Sequence, residues 1–265
     1  MHNDPSLNGR LACVTSYACF YDQRFSYYVY LPRNFASPEA PSAYDLLVLV
    51  HGTERGGETY RNKFKRFANT HNLAIMAPLF PAGIAEPREL ENYRHIRYRG
   101  IEFDTILFKM IEEMAERFPI NSGRFHLHGF SSGGQFVNRL LYLHPHRFLS
   151  LSIGAPGEAT FPCSDQNWPL GLGGAADIFG QMPSLDALRG LPVQIVAGAA
   201  DTTPRPALDD APNRLERAKL LYRSFKEIGL NVRLDVVPDA GHDGFKVLPA
   251  VMEFFETALS AGPGG

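Results

Sequence analysis

"HGFSSGG", residues 128–134, sets two adjacent serines among glycines, directly after the apolar run "RFHLHG" (124–129) and directly before an amphipathic stretch at about 132–144. Gly129, Ser131 and Gly133 fit Gly-x-Ser-x-Gly, a sharp strand-to-helix turn that puts a serine hydroxyl on display. In a chain with 24 glycines the motif carries little weight by itself. Its position between a strand pattern and a helix pattern is what makes it a candidate nucleophile turn. The first N–H groups of the following helix favour negative charge at the turn, and an oxyanion is charge of that kind.

Outward from this turn the chain alternates. "RFSYYVYLP" (24–32) reads as a strand paired antiparallel with an earlier one near 12–20. "DLLVLVHG" (45–52) and "LAIMAPLF" (73–80) are short, continuously apolar runs, the pattern of strands buried on both faces of a parallel sheet. Helical spacing predicts helices over 58–71, with Tyr60, Phe64 and Phe67, and over 101–117, with Ile106, Met110 and Met114. After the turn come "FLSLSIGAP" (148–156), "PVQIVAGAAD" (192–201), a charged helix at about 212–228, "NVRLDVVP" (231–238) and a last helix at about 246–259. This order predicts an α/β architecture, a doubly wound and mostly parallel sheet in a single domain, with ligands outside the carboxyl ends of the strands. The Gly- and Pro-rich stretch 156–184 reads either as a lid or cleft wall, with Trp168 its apolar surface, or as a surface excursion hiding a short helix. The tail at 260–265 reads as frayed.

Composition narrows the function. At 265 residues, with 45% hydrophobic and 20% charged residues, the chain has the makeup of an ordinary globular protein. A formal charge of −2 supplies no field for nucleic acid or an anionic membrane. The basic stretch "YRHIRYRG" (93–100) reads as a solvated loop. No leader-like segment and no run of about 18 apolar residues is visible, so a cytoplasmic protein is expected. Cys13, Cys19 and Cys163 are read as reduced thiols, with a Cys19 to Cys163 pair left open. Neither a Gly-x-Gly-x-x-Gly after the first strand nor a Gly-Lys-Ser cradle occurs, and no cofactor is expected.

A serine needs a base to activate it and a carboxylate to orient that base. Downstream of Ser131, Asp201 ends "VAGAAD" and His242 lies in "PDAGHDGF", both where a strand gives way to a loop. The competing acids are Asp177, Asp209, Asp210, Asp235 and Asp239. Asp235 falls within a strand pattern, Asp209 and Asp210 lead into a helix, and Asp177 belongs to the irregular stretch. His144 and His146 flank the end of the helix after Ser131, which leaves His242 as the base. His126 and His128, two apart on a strand, share a face but lack a third ligand, so they read as packed imidazoles and no metal is expected. An acyl-transfer site also needs two N–H donors for the oxyanion. Ser132, the residue after the nucleophile, supplies one through its backbone, and its side chain is expected to matter little. The loop "HGTERGG" (51–57) supplies the other, Thr53 first and Glu54 second, with His51 bracing it. Glu54, Arg55, Tyr93, Arg97 and Trp168 are candidate substrate contacts.

With "GFSSGG", "VLVHGT", the aspartate after "VAGAA" and "AGHDGF" in hand, the chain resembles the α/β-hydrolase superfamily over nearly its whole length. Within it the chain is similar to the lid-poor serine esterases related to polyhydroxybutyrate depolymerases and feruloyl esterases. The resemblance implies that Ser131, Asp201 and His242 are nucleophile, acid and base for carboxylic ester cleavage. An amidase or peptidase with the same triad is the alternative, and a non-catalytic ligand-binding protein on the same fold is a third reading. Lacking an export signal and an attached binding domain, the chain is expected to act on a small-molecule ester or amide.

Overall fold

The protein is described by a computed structural model covering residues 14–35, 37–38, 40–181, 183–205 and 211–261. Its strands are β1 (Val14–Ala18), β2 (Ser26–Tyr30), β3 (Asp45–Val50), β4 (Leu73–Leu79), β5 (Arg97–Tyr98), β6 (Ile101–Glu102), β7 (Phe125–Phe130), β8 (Phe148–Gly154), β9 (Val193–Gly198) and β10 (Val232–Val237). The helices are α1 (Gly57–His71), α2 (Phe103–Arg117), α3 (Ser132–Leu143), α4 (Ala175–Phe179), α5 (Arg214–Glu227) and α6 (Leu248–Ser260). Eight strands form one sheet in the order β1-β2-β4-β3-β7-β8-β9-β10, while β5 and β6 make a small hairpin ahead of α2.

Pairing is antiparallel for β1 with β2 and for β2 with β4, and parallel from β4 through β10. The mostly parallel α/β sheet read from the sequence is present. The reason is visible in burial, since β7 and β9 are buried at every position and β3, β4 and β8 at nearly every one, so only helices on both faces can cover them. Alternation along β7 sorts those helices. His126 and His128 face one side, where they meet Phe255 of α6 and Tyr60 of α1. Phe125 and Gly129 face the other, toward Phe108 of α2 and Val137 of α3, and Tyr142 of α3 in turn meets Phe225 of α5.

Cys19 and Cys163 are free thiols, as read from the sequence, and the pairing left open does not form: Cys19 is buried, with its thiol donating to Glu113 on α2. Burial pushes the Cys19 thiol up, which keeps it protonated. Cys13 and the residues 262–265 of the tail lie outside the described residues.

Part of the 156–184 stretch, at Gly157, lies beside Arg205, and the rest packs on α3. The stretch contains the short helix α4, and it docks on α3 through Thr160, which accepts from Arg139 Nε at 3.1 Å and donates its N–H to Asn138 Oδ1 at 2.7 Å. Trp168 packs edge-on against Phe179 at 4.9 Å between ring centres, so it closes the excursion on itself.

Candidate active site

The turn "GFSSGG" is built by close approach of backbone. A Cβ on Gly133 would sit 2.5 Å from Val50 O, and one on Gly129 would collide with Gly133 O, so glycine at both places lets α3 start hard against the ends of β3 and β7. Ser131 itself, with no such licence, sits at φ 59° and ψ −117°. Such a backbone costs on the order of 1–3 kcal/mol and persists only where the surroundings enforce it. Here the Ser131 N–H donates to Gly154 O at 2.9 Å and the Gln135 N–H to Ser131 O at 3.0 Å, pinning the turn to β8 and α3.

Two other strand ends converge on this serine. Asp201 follows β9, with its backbone N–H donating to Gly198 O, and its carboxyl is buried at 1% exposure. His242 follows β10. Its Nδ1 lies 2.7 Å from Asp201 Oδ2 and its Nε2 lies 2.9 Å from Ser131 Oγ. A carboxylate only accepts, so the Nδ1 proton faces Asp201 and the lone pair of Nε2 faces the serine hydroxyl. The second oxygen of Asp201 is 3.6 Å from Arg214 at the start of α5. The imidazole also lies 4.9 Å from the Phe130 ring, which holds its far side.

Thr53 belongs to the loop after β3, whose bracing matches the expectation for His51. The His51 ring is wholly buried, its Nδ1 meets Gly52 O at 2.7 Å, and its Nε2 accepts the Phe80 N–H at 3.0 Å. Burial depresses His51 to about 4, so it stays neutral in this acceptor role. Among the described residues the Thr53 N–H has no backbone partner. The Ser132 N–H belongs to the first turn of α3, where helices leave donors uncommitted. The Ser132 side chain lies with its Oγ 3.0 Å from Thr53 Oγ1.

The cleft above these groups has a volume of about 480 Å³, within the range of small-molecule sites. Thr53, Glu54, Ser131 and His242 line it, joined by Tyr60, Glu91, Phe130, Arg205, Arg214 and Phe245, none of which the sequence reading had placed there. Of the candidate substrate contacts, Glu54 is at the cleft and the others are not. Tyr93 is fully buried and donates its hydroxyl to His51 O at 2.7 Å. Arg55 turns its guanidinium away to the carbonyls of Thr53, Phe80 and Leu90. Arg97 donates to Ile178 O and lies over Phe179, and Trp168 shares that distant patch. Long polar side chains in a loop gave no signal of which way they point.

The remaining candidates are resolved by packing. His126 and His128 are buried, each with Nδ1 against a β8 hydroxyl, Ser150 at 2.7 Å and Ser152 at 3.0 Å. Burial depresses them to about 4 and about 3. Among the described residues no group of three or more histidine, cysteine or acidic side chains could hold a metal ion. Asp235 pairs with Arg233, and Asp209 and Asp210 lie outside the described residues. The 93–100 stretch is tied down more than a solvated loop would be, through Arg94 to Glu91 and Arg97 to the 178 loop. No helix among the described residues is long and apolar enough to cross a membrane.

No protein-family model matches the sequence, and no curated protein matches it. Solved structures do. A poly(3-hydroxybutyrate) depolymerase from Bordetella parapertussis superposes with a TM-score of 0.67 at 26% identity, covering 89% of this chain and 87% of that one. A poly(aspartic acid) hydrolase from Sphingomonas sp. KT-1 gives 0.69 at 21% identity, over 86% and 92%. An S-formylglutathione hydrolase from Agrobacterium tumefaciens gives 0.62 at 15% identity, over 93% and 94%. The chain has the α/β-hydrolase fold, and its structural neighbours are hydrolases and esterases of that fold.

Proposed function

We propose that the protein is a serine hydrolase that cleaves carboxylic esters of small molecules through an acyl-enzyme on Ser131. The observation that carries this is the unbroken line from Asp201 Oδ2 to His242 at 2.7 Å and from His242 Nε2 to Ser131 Oγ at 2.9 Å, at the floor of an open cleft. As Ser131 Oγ bonds to the ester carbonyl carbon, His242 Nε2 takes the hydroxyl proton, and Asp201 stabilises the resulting imidazolium. The carbonyl oxygen becomes an oxyanion received by the backbone N–H groups of Thr53 and Ser132. Collapse breaks the bond to the alcohol oxygen, which leaves with the proton from His242. Water then loses a proton to His242 while attacking the acyl carbon, and the second collapse returns that proton to Ser131 as the acid departs.

Mutation of Ser131→Ala tests the reading directly. Hydrolysis of 4-nitrophenyl acetate and butyrate is expected to fall by a factor of about 10³ to 10⁶, with folding unchanged. A fluorophosphonate probe should label the native protein at Ser131 and leave the variant unmodified. Retention of full esterase activity in the variant would end the proposal. The amidase alternative uses the same groups, and a neighbour named for hydrolysis of poly(aspartic acid) keeps it in view. Matched ester and amide substrates separate the two, because an amidase holds its rate on the amide.

A further inference from the structure

Glu91 falls outside every motif of the sequence, yet it is fastened to both ends of the oxyanion site. Its Oε1 accepts from Thr53 Oγ1 at 2.5 Å, and Thr53 Oγ1 lies 3.0 Å from Ser132 Oγ. Its Oε2 receives Arg94 at 2.9 Å, and Arg94 extends to Gln135 on α3 at 3.4 Å. Burial alone would raise the Glu91 carboxyl, but the Thr53 hydrogen bond, the Arg94 charge, the Ser132 hydroxyl and the Arg205 charge together hold it below the usual carboxylate value. It is therefore ionised and can only accept. Thr53 donates its one hydroxyl proton to Glu91, which leaves its lone pairs open to the Ser132 hydroxyl, a group that also faces Glu91.

We propose that Glu91, Thr53 and Ser132 form a side-chain clamp that holds the two oxyanion-binding peptides in fixed relation, with Glu91 as the positioning residue that anchors it. This rests on the esterase reading. The two donors come from loops after β3 and β7, 79 residues apart in sequence, and among the described residues the Thr53 N–H has no backbone bond to fix its plane. Useful donors must lie about 2.7–3.1 Å from the oxyanion and be in place before charge develops. A hydroxyl-to-hydroxyl tie between the two donor residues supplies that constraint. Glu91 also lines the cleft, but its tie to the oxyanion site runs through Thr53.

The test compares Thr53→Val, Thr53→Ser, Ser132→Ala, Glu91→Ala and the Thr53→Val/Ser132→Ala double variant on 4-nitrophenyl butyrate. Thr53→Val and Glu91→Ala are each expected to lower kcat about tenfold, well short of the 10²- to 10³-fold loss of a whole donor, with KM within about twofold of native. Inhibition by an alkylboronic acid, which becomes tetrahedral on Ser131, should weaken in parallel with kcat/KM. Thr53→Ser keeps the hydroxyl and should restore kcat to within about twofold of native. Because the two hydroxyls act through one bond, the double variant should cost no more than the worse single one. Native esterase activity and Ser131 labelling report on the function itself. With both intact, a Thr53→Val enzyme at native kcat, or a double variant whose loss is the product of the single losses, overturns the clamp.

Discussion

Among the described residues the protein holds three serine–histidine hydrogen bonds of nearly equal length, and the proposed mechanism uses only one of them. His126 with Ser150 at 2.7 Å and His128 with Ser152 at 3.0 Å lie inside the sheet, whereas His242 with Ser131 at 2.9 Å lies at its carboxyl edge. The differences lie around the pair. His242 has a carboxylate on its other nitrogen and stands 29% exposed at the cleft, while His128 is wholly buried with its Nε2 lacking a partner. His144 completes the comparison, since it has a carboxylate, Asp104 at 2.9 Å, and no serine partner among the described residues. A serine beside a histidine is thus ordinary packing in this fold. Chemistry requires the carboxylate that fixes the tautomer, the donors that receive the oxyanion and a path for substrate.

Removing the carboxylate should make the reactive pair resemble the inert ones. Asp201→Asn keeps the shape but can donate to Nδ1, which turns the imidazole proton toward Ser131 and leaves no lone pair for the hydroxyl. A kcat loss of about 10⁴-fold is expected on nitrophenyl esters, with the fold retained by circular dichroism. A loss of tenfold or less would mean that the serine–histidine pair suffices here and that the contrast between the edge and the interior has another origin.

How much of this contrast could be read beforehand follows from what each element depends on. The parallel strands were legible because their burial on both faces leaves continuous apolar runs, and β3, β4, β7, β8 and β9 lie within a few residues of those runs. Ser131, Asp201 and His242 were legible because each closes a strand pattern, so topology alone carries them to one edge. The cleft wall was not. Arg205 and Arg214 come from the loop and helix start after β9, and Glu91 from a connection whose direction is set by Arg94 and Thr53, partners far away in sequence. Tyr93 and Trp168 failed as substrate contacts for the opposite reason: aromatic side chains in irregular segments are as readily drawn into packing as left at a surface.

Breaking an interior pair should be felt in stability and not in turnover. Ser152 receives His128 at 3.0 Å and donates to Gln194 Oε1 at 2.6 Å, so Ser152→Ala leaves two buried polar groups without a partner. A loss of about 1–3 kcal/mol is expected, lowering Tm by roughly 3–10 °C, while kcat on nitrophenyl esters stays within about twofold of native. If kcat fell with Tm unchanged, the interior pair would belong to the active site after all.

Acid should expose the same asymmetry without any mutation. In the folded protein burial holds His51, His95 and His126 at about 4 and His128 at about 3, against about 6.5 for an unfolded chain. Between roughly pH 6.5 and pH 4 the unfolded state therefore binds more protons than the native one, so stability rises with pH and is lost as pH falls through this window. Each such imidazole contributes up to about 1.4 kcal/mol per pH unit, a ceiling that local relaxation reduces. Tm should fall by several degrees from pH 7 to pH 5.5. Replacing His126, which has one neutral partner in Ser150, by Gln removes one of these four proton sites, and the slope of Tm against pH should flatten by up to about a quarter while ester turnover at pH 7.5 is kept. An unchanged slope would mean that the acid sensitivity comes from elsewhere, and that the buried pairs differ from the proposed catalytic one in position alone.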